Sequence, residues 1–395
     1  MTHSAKVTPR RLRLGMVGGG QGAFIGAVHR MAARLDDEWE LVAGALSSDK
    51  QRSAESAATL HIDAARSYSD FSTMARAESE RADGIDAVAI VTPNHLHAPV
   101  AHAFLDAGIH VICDKPLALS LAEGDELAAK ARQRNLVFSV TYNYSGYPMV
   151  RRARRLIQQS MLGKLRLVQV EYAQDWLSSP LEATGQKQAA WRTNPAQAGA
   201  AGCLGDIGTH AYQLACFVTA QLASHVSAEL TTFVAGRQLD DNVQAMLRFP
   251  SGMRGSLWAS QVASGAVNGL RLRIYGDLAS LEFSQEQPDE LIIRFVGGEE
   301  RRLRRGHGEA GITEHIRIPA GHPEGFIEAF AQIYSDVAAH IRAHTQGLAI
   351  PDAARDLPTV NDGISGLEFV EAALASSAKA GSWTNLRTAS FLVRT

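Results

Sequence analysis

Residues 12–26 constrain this chain more tightly than any other stretch. The apolar run 12–17 ends in Gly18-Gly19-Gly20, and Gln21-Gly22-Ala23 follows. Apolar residues then recur at mixed spacings of three and four from about residue 25 to 35, as on a helix. Glycines between a strand and a helix permit a tight turn and a close approach of backbone to ligand. The helix start adds unpaired N–H groups and a partial positive charge. The pattern predicts a diphosphate site of a dinucleotide at Gly18, Gly20, Gly22, Ala23, Phe24 and Ile25. The spacing is not the plain G-x-G-x-x-G: five residues separate Gly20 from Gly26, and two more separate Gly26 from His29. Phe24 and Ile25 either line the diphosphate or anchor the helix to the core.

The strand–helix pattern repeats. Strands are expected at 40–46, 85–91, 109–113 and 136–141, and helices at 50–60, 99–107 and 121–134. Nearly continuous apolar strands alternating with helices belong to a doubly wound parallel sheet covered on both faces, with right-handed crossovers. The second strand of such a unit commonly ends in an acid for the ribose. Here the tip reads Ser47-Ser48-Asp49, with Lys50 and Arg52 beyond. Hydroxyls with nearby cations suit a 2′-phosphate, so Ser47, Ser48 and Arg52 favour NADP over NAD. Asp49 keeps ribose binding open.

After about residue 150 the period changes to two. In 243–249, Val243, Ala245, Leu247 and Phe249 share one face, and 270–275 alternates leucine and isoleucine with arginine and tyrosine. Further strand-like runs at 165–172, 228–234, 255–260 and 291–296 predict a large, mainly antiparallel open sheet in an α+β domain. Helices are expected at 149–159, 206–219, 323–343 and 363–376. One sheet face then lacks helical cover, which a homodimer or homotetramer would supply. The expected division is 1–148 and 149–395. Arg151-Arg152-Ala153-Arg154-Arg155 is placed on the exposed side of a helix, and 301–305 on a solvated edge.

Charge excludes some partners. Lys plus Arg number 39 against 41 Asp plus Glu, which argues against a polyanion such as nucleic acid or an anionic membrane. No segment approaches the ~18 apolar residues of a membrane span. Three cysteines without C-x-x-C spacing fit neither a disulfide framework nor a zinc site, and point to a reducing, cytoplasmic compartment. His95-Leu96-His97 lacks an evident third ligand, so no metal is expected. Residues 1–9 read as a polar tail. Arg10-Arg11 is not followed by the apolar region and cleavage site of an export signal.

Two constellations carry chemistry. Lys115 lies just past the C-terminal end of a parallel strand, where such sheets place ligands, and Pro116 restricts it. An ammonium there donates to a substrate oxygen and stabilises alkoxide charge. Asp206 and His210 are four apart, on one face if a helix begins near Asp206. His210 suits acid–base work near neutrality. Alone, the pair would read as a helix cap and a core histidine.

Together these segments resemble the glucose–fructose oxidoreductase/inositol dehydrogenase (Gfo/Idh/MocA) family. The resemblance rests on Gly26-x-x-His29, Thr92-Pro93-Asn94-His95-x-His97, Cys113-Asp114-Lys115-Pro116, Trp191-Arg192 and Gly205-Asp206-Ile207-Gly208-Thr209-His210, with 321–326 similar too. It implies a Rossmann domain, NAD or NADP, and hydride transfer at a ring hydroxyl or ketone of a sugar, polyol, glycoside or inositol. Lys115, Asp206 and His210 correspond to the family's catalytic positions. Thr92, Asn94, His97 and Asp114 would lie by the cofactor. Asn143, Tyr144, Trp176, Trp191 and Arg192 would contact the sugar. Three departures stand out: Asp114 replaces the family's glutamate, the glycine loop is longer, and Asn143-Tyr144 lacks the arginines that often follow the asparagine. A redox-assisted lyase or glycosidase, or a nucleotide-sensing regulator, would use the same segments.

Overall fold

The structure is a computed structural model that describes residues 10–308 and 315–387; the tail at 1–9 lies outside them. The first apolar run forms β1 (Leu12–Gly18), hydrogen-bonded along both edges. With β2 (Trp39–Ala45), β3 (Ala87–Val91), β4 (His110–Cys113) and β5 (Phe138–Val140) it builds a parallel sheet in the order β2-β1-β3-β4-β5. Every residue of β3 and β4 is buried, so β3 reads as an unbroken apolar run and β4 as one after His110. Helices α1 (Phe24–Leu35), α2 (Lys50–Thr59), α3 (Phe71–Glu80), α4 (His97–Asp106) and α5 (Leu121–Gln133) join them. Strand order reverses between β1 and β3, which opens the ligand crevice at their C-terminal ends.

The rest of the chain starts with α6 (Pro148–Gln158), β6 (Leu165–Ala173), the short helices α7 (Lys187–Arg192) and α8 (Pro195–Ala198), and α9 (Thr209–Thr219). Strands β7 (His225–Thr231), β8 (Asn242–Arg248), β9 (Arg254–Ser260), β10 (Gly269–Gly276), β11 (Ala279–Ser284), β12 (Glu290–Phe295) and β13 (Glu300–Arg304) follow. Helices α10 (Phe326–Gln346) and α11 (Val360–Ser377) and the short β14 (Thr384–Asn385) complete it. The second sheet runs β13-β12-β11-β10-β6-β9-β8-β7-β14, antiparallel except between β6 and β9. Val243, Ala245 and Leu247 of β8 point into a core shared with α6, α9 and α11, while Gln244 and Met246 face outward. The outer face is the uncovered one that the period-two pattern implied.

Three expectations need correction. Helix α10 does not stay with the second half. Phe330, Tyr334, Val337 and Ile341 pack with Leu14, Val28 and Trp39 in the core beneath the first sheet. Trp39 Nε1 donates to the Tyr334 carbonyl at 3.0 Å. The dinucleotide-type half is therefore assembled from residues on both sides of 148/149. Second, the arginines of α6 are not exposed: Arg151, Arg152 and Arg154 retain 2, 9 and 7% of their surface. Arg151 pairs with Asp336 of α10 and donates to the Ser145 carbonyl at 3.0 Å. Arg154 bonds Asp356 at 2.9 Å. Such burial is tolerable because each guanidinium meets acceptors that lie far away in sequence. Third, in the 301–305 run only the first four residues lie on the edge strand β13; Arg305 is buried between Asp289 and Glu324.

Candidate active site

The crevice is a cleft of about 950 Å³ that runs from the glycine loop to the second domain. At one end Gly18, Gly19 and Gly20 turn the chain, with Gly18 and Gly19 at φ +81° and +73°, values that disfavour a side chain. Helix α1 lies so close that a Cβ on Gly26 would overlap the Gly19 backbone, so Gly26 serves the helix–strand packing role within the lengthened loop. Helices α2, α3 and α5 are capped by Asp49, Asp70 and Ser120, but α1 has no side-chain cap. Its first N–H groups, at Phe24 and Ile25, lie at the cleft and leave room for an anion. Ala23 lines the cleft as well, whereas Gly22 does not. Phe24 is 67% exposed, so it does not anchor the helix to the core.

Ser47, Ser48 and Arg52 line the same end. Asp49 is committed to α2, its Oδ1 accepting the Arg52 N–H at 2.8 Å. Deeper in, Thr92, Asn94, Asp114 and Asn143 face the cleft. Asp114 Oδ1 accepts from Thr141 Oγ1 at 3.0 Å, and Asn94 Nδ2 donates to the Ala198 carbonyl at 3.0 Å, tying α8 to the first domain. Thr92 Oγ1, His95 Nδ1 and Asn143 Nδ2 are buried without hydrogen-bond partners among the described residues. Orphaned donors and acceptors along the wall, beside an uncapped helix start, fit a long polar cofactor. His97 is the exception. It is 1% exposed, with Nδ1 2.6 Å from the Pro116 carbonyl and Nε2 3.0 Å from the Thr92 carbonyl. It braces the β3 and β4 tips from behind rather than facing the cleft.

At the far end the two halves converge. The Lys115–Pro116 peptide is cis. Lys115 Nζ donates to Asp206 Oδ1 at 2.8 Å and to the Asp206 carbonyl at 2.6 Å. Asp206 Oδ2 accepts from Gln261 Nε2 at 2.8 Å and lies 3.3 Å from Arg192 Nε. Burial pushes the Asp206 carboxyl up, but Lys115 and Arg192 outweigh it and hold it below the usual carboxylate range. Asp206 does not begin an ordinary helix. Residues Leu204–Gly208 form a widened turn in which the Thr209 N–H bonds the Leu204 carbonyl, five residues back, before α9 begins. Such turns recur at functional sites. Asp240 caps this turn: its carboxylate accepts the Gly202 N–H at 2.6 Å and the Leu204 N–H at 2.7 Å.

His210 stands in the first turn of α9, 7% exposed, edge-on to Tyr144 with centroids 4.9 Å apart. Its Nδ1 has no partner among the described residues, so Asp206 does not orient it by hydrogen bonding. Burial and then Lys115 push its pKa well below 6.5, against Asp206. Tyr144 and Tyr172 share a short hydroxyl contact, and Tyr172 donates to Asn268 Oδ1 at 2.8 Å. Gln174 donates to the same oxygen at 2.8 Å and receives Trp176 Nε1 at 3.1 Å. The Arg192 guanidinium lies 4.2 Å over Trp191 and 6.0 Å from Trp176. All the expected sugar-contacting residues, Asn143, Tyr144, Trp176, Trp191 and Arg192, line the cleft. Sequence reasoning missed Gln174, Asp240, Gln261 and Asn268, which no local motif marks.

Comparison with known proteins identifies the chain. Residues 12–142 match the oxidoreductase-family model with an NAD-binding Rossmann fold, and 150–282 match the GFO/IDH/MocA C-terminal domain. The uncharacterized oxidoreductase YfiI of Bacillus subtilis is 33% identical over 98% of this chain and 100% of that protein. The chain belongs to the Gfo/Idh/MocA family of oxidoreductases. An inositol dehydrogenase homolog from Azotobacter vinelandii, solved with NADH and myo-inositol, is similar at 35% identity and a TM-score of 0.88 over 95% of this chain and 98% of that one. Levoglucosan dehydrogenase of Pseudarthrobacter phenanthrenivorans is 31% identical over 74% of this chain and 78% of that protein. The Gfo/Idh/MocA assignment accounts for the parallel sheet, the open second sheet and the cleft between them.

Proposed function

We propose that this oxidoreductase acts on a ring hydroxyl, or the corresponding ketone, of a sugar, glycoside or inositol. The observation that carries the reading is the meeting of Lys115, Asp206 and His210 where the two domains close on the cleft. When bound, a nicotinamide cofactor supplies the hydride acceptor or donor. The chain supplies position and charge. An ammonium has three N–H donors; Lys115 uses two on Asp206 and turns the third to the substrate oxygen, stabilising alkoxide character. His210, kept neutral by burial, takes the hydroxyl proton on the imidazole nitrogen that faces the cleft and returns it in the reverse direction. Asp206 holds Lys115 and Arg192 in place. Trp176 and Trp191 offer faces to a ring, and Asn143, Gln174 and Arg192 offer hydrogen bonds to its hydroxyls. Thr92, Asn94 and Asp114 serve the cofactor.

The cofactor is NADP in preference to NAD: Asp49 is engaged in a helix cap, and Ser47, Ser48 and the Arg52 cation remain for a 2′-phosphate. The open face of the second sheet, with Leu167 and Met246 about half exposed, pairs with a second copy to give a homodimer or homotetramer. Light scattering reads this directly, and a monomer at micromolar concentration would remove it. No helix is long and apolar enough to cross a membrane among the described residues, and three buried free cysteines fit the cytoplasm.

The test is reduced-cofactor absorbance against a panel of sugars, glycosides and inositols, run with NADP and NAD. Turnover with one of them, lost by about 100-fold or more in Lys115→Ala while cofactor binding persists, is the expected result. Near-normal turnover in that variant ends the assignment.

A further inference from the structure

We infer that Arg30 is a positioning residue for cofactor binding, acting through the Gly19 carbonyl from the protein side of the glycine loop. The inference rests on the cofactor reading above. Arg30 lies on α1, one turn beyond Gly26, the residue on which helix and loop touch. Its Nη1 donates to the Gly19 carbonyl at 2.6 Å and sits 3.6 Å from Met16 Sδ. Gly19 lines the cleft, whereas Arg30 does not. The guanidinium is half-buried, and burial followed by the neighbouring Arg34 lowers its pKa. No carboxylate pairs with it among the described residues, whereas Arg192, Arg317 and Arg342, which are also partly buried, each meet one.

This placement has two consequences. Backbone carbonyls repel phosphate oxygens, so a loop that binds a diphosphate must turn its carbonyls away. The Gly19 carbonyl is drawn to Arg30, the Gly20 N–H is fixed to the Leu46 carbonyl at 3.2 Å, and the Gln21 N–H to Ser56 Oγ at 3.1 Å. The loop is thus pinned from three sides, and the free N–H groups of α1 are what it presents. The second consequence is electrostatic. An arginine without a carboxylate partner leaves net positive charge behind the Gly19 backbone, where water screens it only in part. It reinforces the partial charge at the α1 start toward an anion it never touches.

The experiment compares wild type with Arg30→Met and Arg30→Lys. Binding of NADH and NADPH is followed by cofactor fluorescence at several salt concentrations, and adenosine, which has no phosphate, by competition. Wild type binding neither dinucleotide would remove the cofactor reading, and the inference with it. With a dinucleotide bound, Arg30→Met is expected to weaken it by about tenfold or more and to flatten the salt dependence, with adenosine affinity unchanged. Arg30→Lys restores the salt dependence but only part of the affinity, since a point charge does not reproduce the fork of the guanidinium. Equal loss of dinucleotide and adenosine would show general damage to the domain and overturn the inference. Unchanged dinucleotide affinity in Arg30→Met would overturn it as well. Should Arg30→Met fail to fold, Arg30→Lys binding dinucleotide as wild type does would count against the clamp.

Discussion

Asp206 is the side chain through which the two domains share one site. A carboxylate with Lys115 on one oxygen and Arg192 and Gln261 on the other is fully engaged. Its folded pKa lies below the unfolded value, so it stays ionised at every working pH; its contribution to stability is lost only as pH falls through that depressed value. Any acidic limb in activity must therefore come from elsewhere. His210 is the candidate, and burial lowers its pKa, so the neutral acceptor persists to more acidic pH than a free imidazole would. The expected kcat/KM profile falls only below 6.5, and His210→Asn both lowers kcat by about 100-fold and abolishes that limb. A limb at or above 6.5, or one unchanged in the variant, would transfer the role to another group.

At the scale of elements, the turn that carries Asp206 is held by a residue from another segment. Asp240, between β7 and β8, accepts two backbone N–H groups at its start, as an N-cap would. Asp240→Ala should cost about 1–2 kcal/mol in denaturant unfolding. It should also lower kcat beyond what incomplete folding explains, measured well below the melting temperature. Elements of this kind mark where sequence reading stops. The strands of the first sheet were legible because burial on both faces leaves a continuous apolar run, and β8 because one buried face leaves an alternation. Lys115, Asp206 and His210 were legible because each sits in a motif tied to a strand end or helix start. Helix α3 was not, since only Met74, Ala75 and Glu78 of its ten residues are buried and its apolar stripe is thin. Gln261, Asp240 and the cofactor-averted His97 gain their roles from contacts that no local spacing encodes. The α6 arginines misled for the same reason: a charged run reads as solvated unless its acceptors are visible, and Asp336 lies 185 residues away from Arg151.

At the scale of the molecule, the Arg151–Asp336 pair joins α6 to α10, and Arg151 also fixes the Ser145 carbonyl beside Asn143 and Tyr144. Both partners are almost fully buried, and burial raises the Asp336 carboxyl against the pull of Arg151. Arg151→Met strands that carboxylate, and a loss of about 3–5 kcal/mol in denaturant unfolding is expected. Asp336→Asn in the same chain should recover part of it. A loss under ~1 kcal/mol would mean that water reaches the acid. The packing of α10 against Leu14, Val28 and Trp39 also governs how the protein can be made. A ribosome delivers the five parallel strands early, yet the helix that seals their lower face emerges only after Gln346 has been joined. Until then the nascent nucleotide-binding half carries an unsealed apolar surface, so its completion waits on the synthesis of a helix far downstream of its last strand.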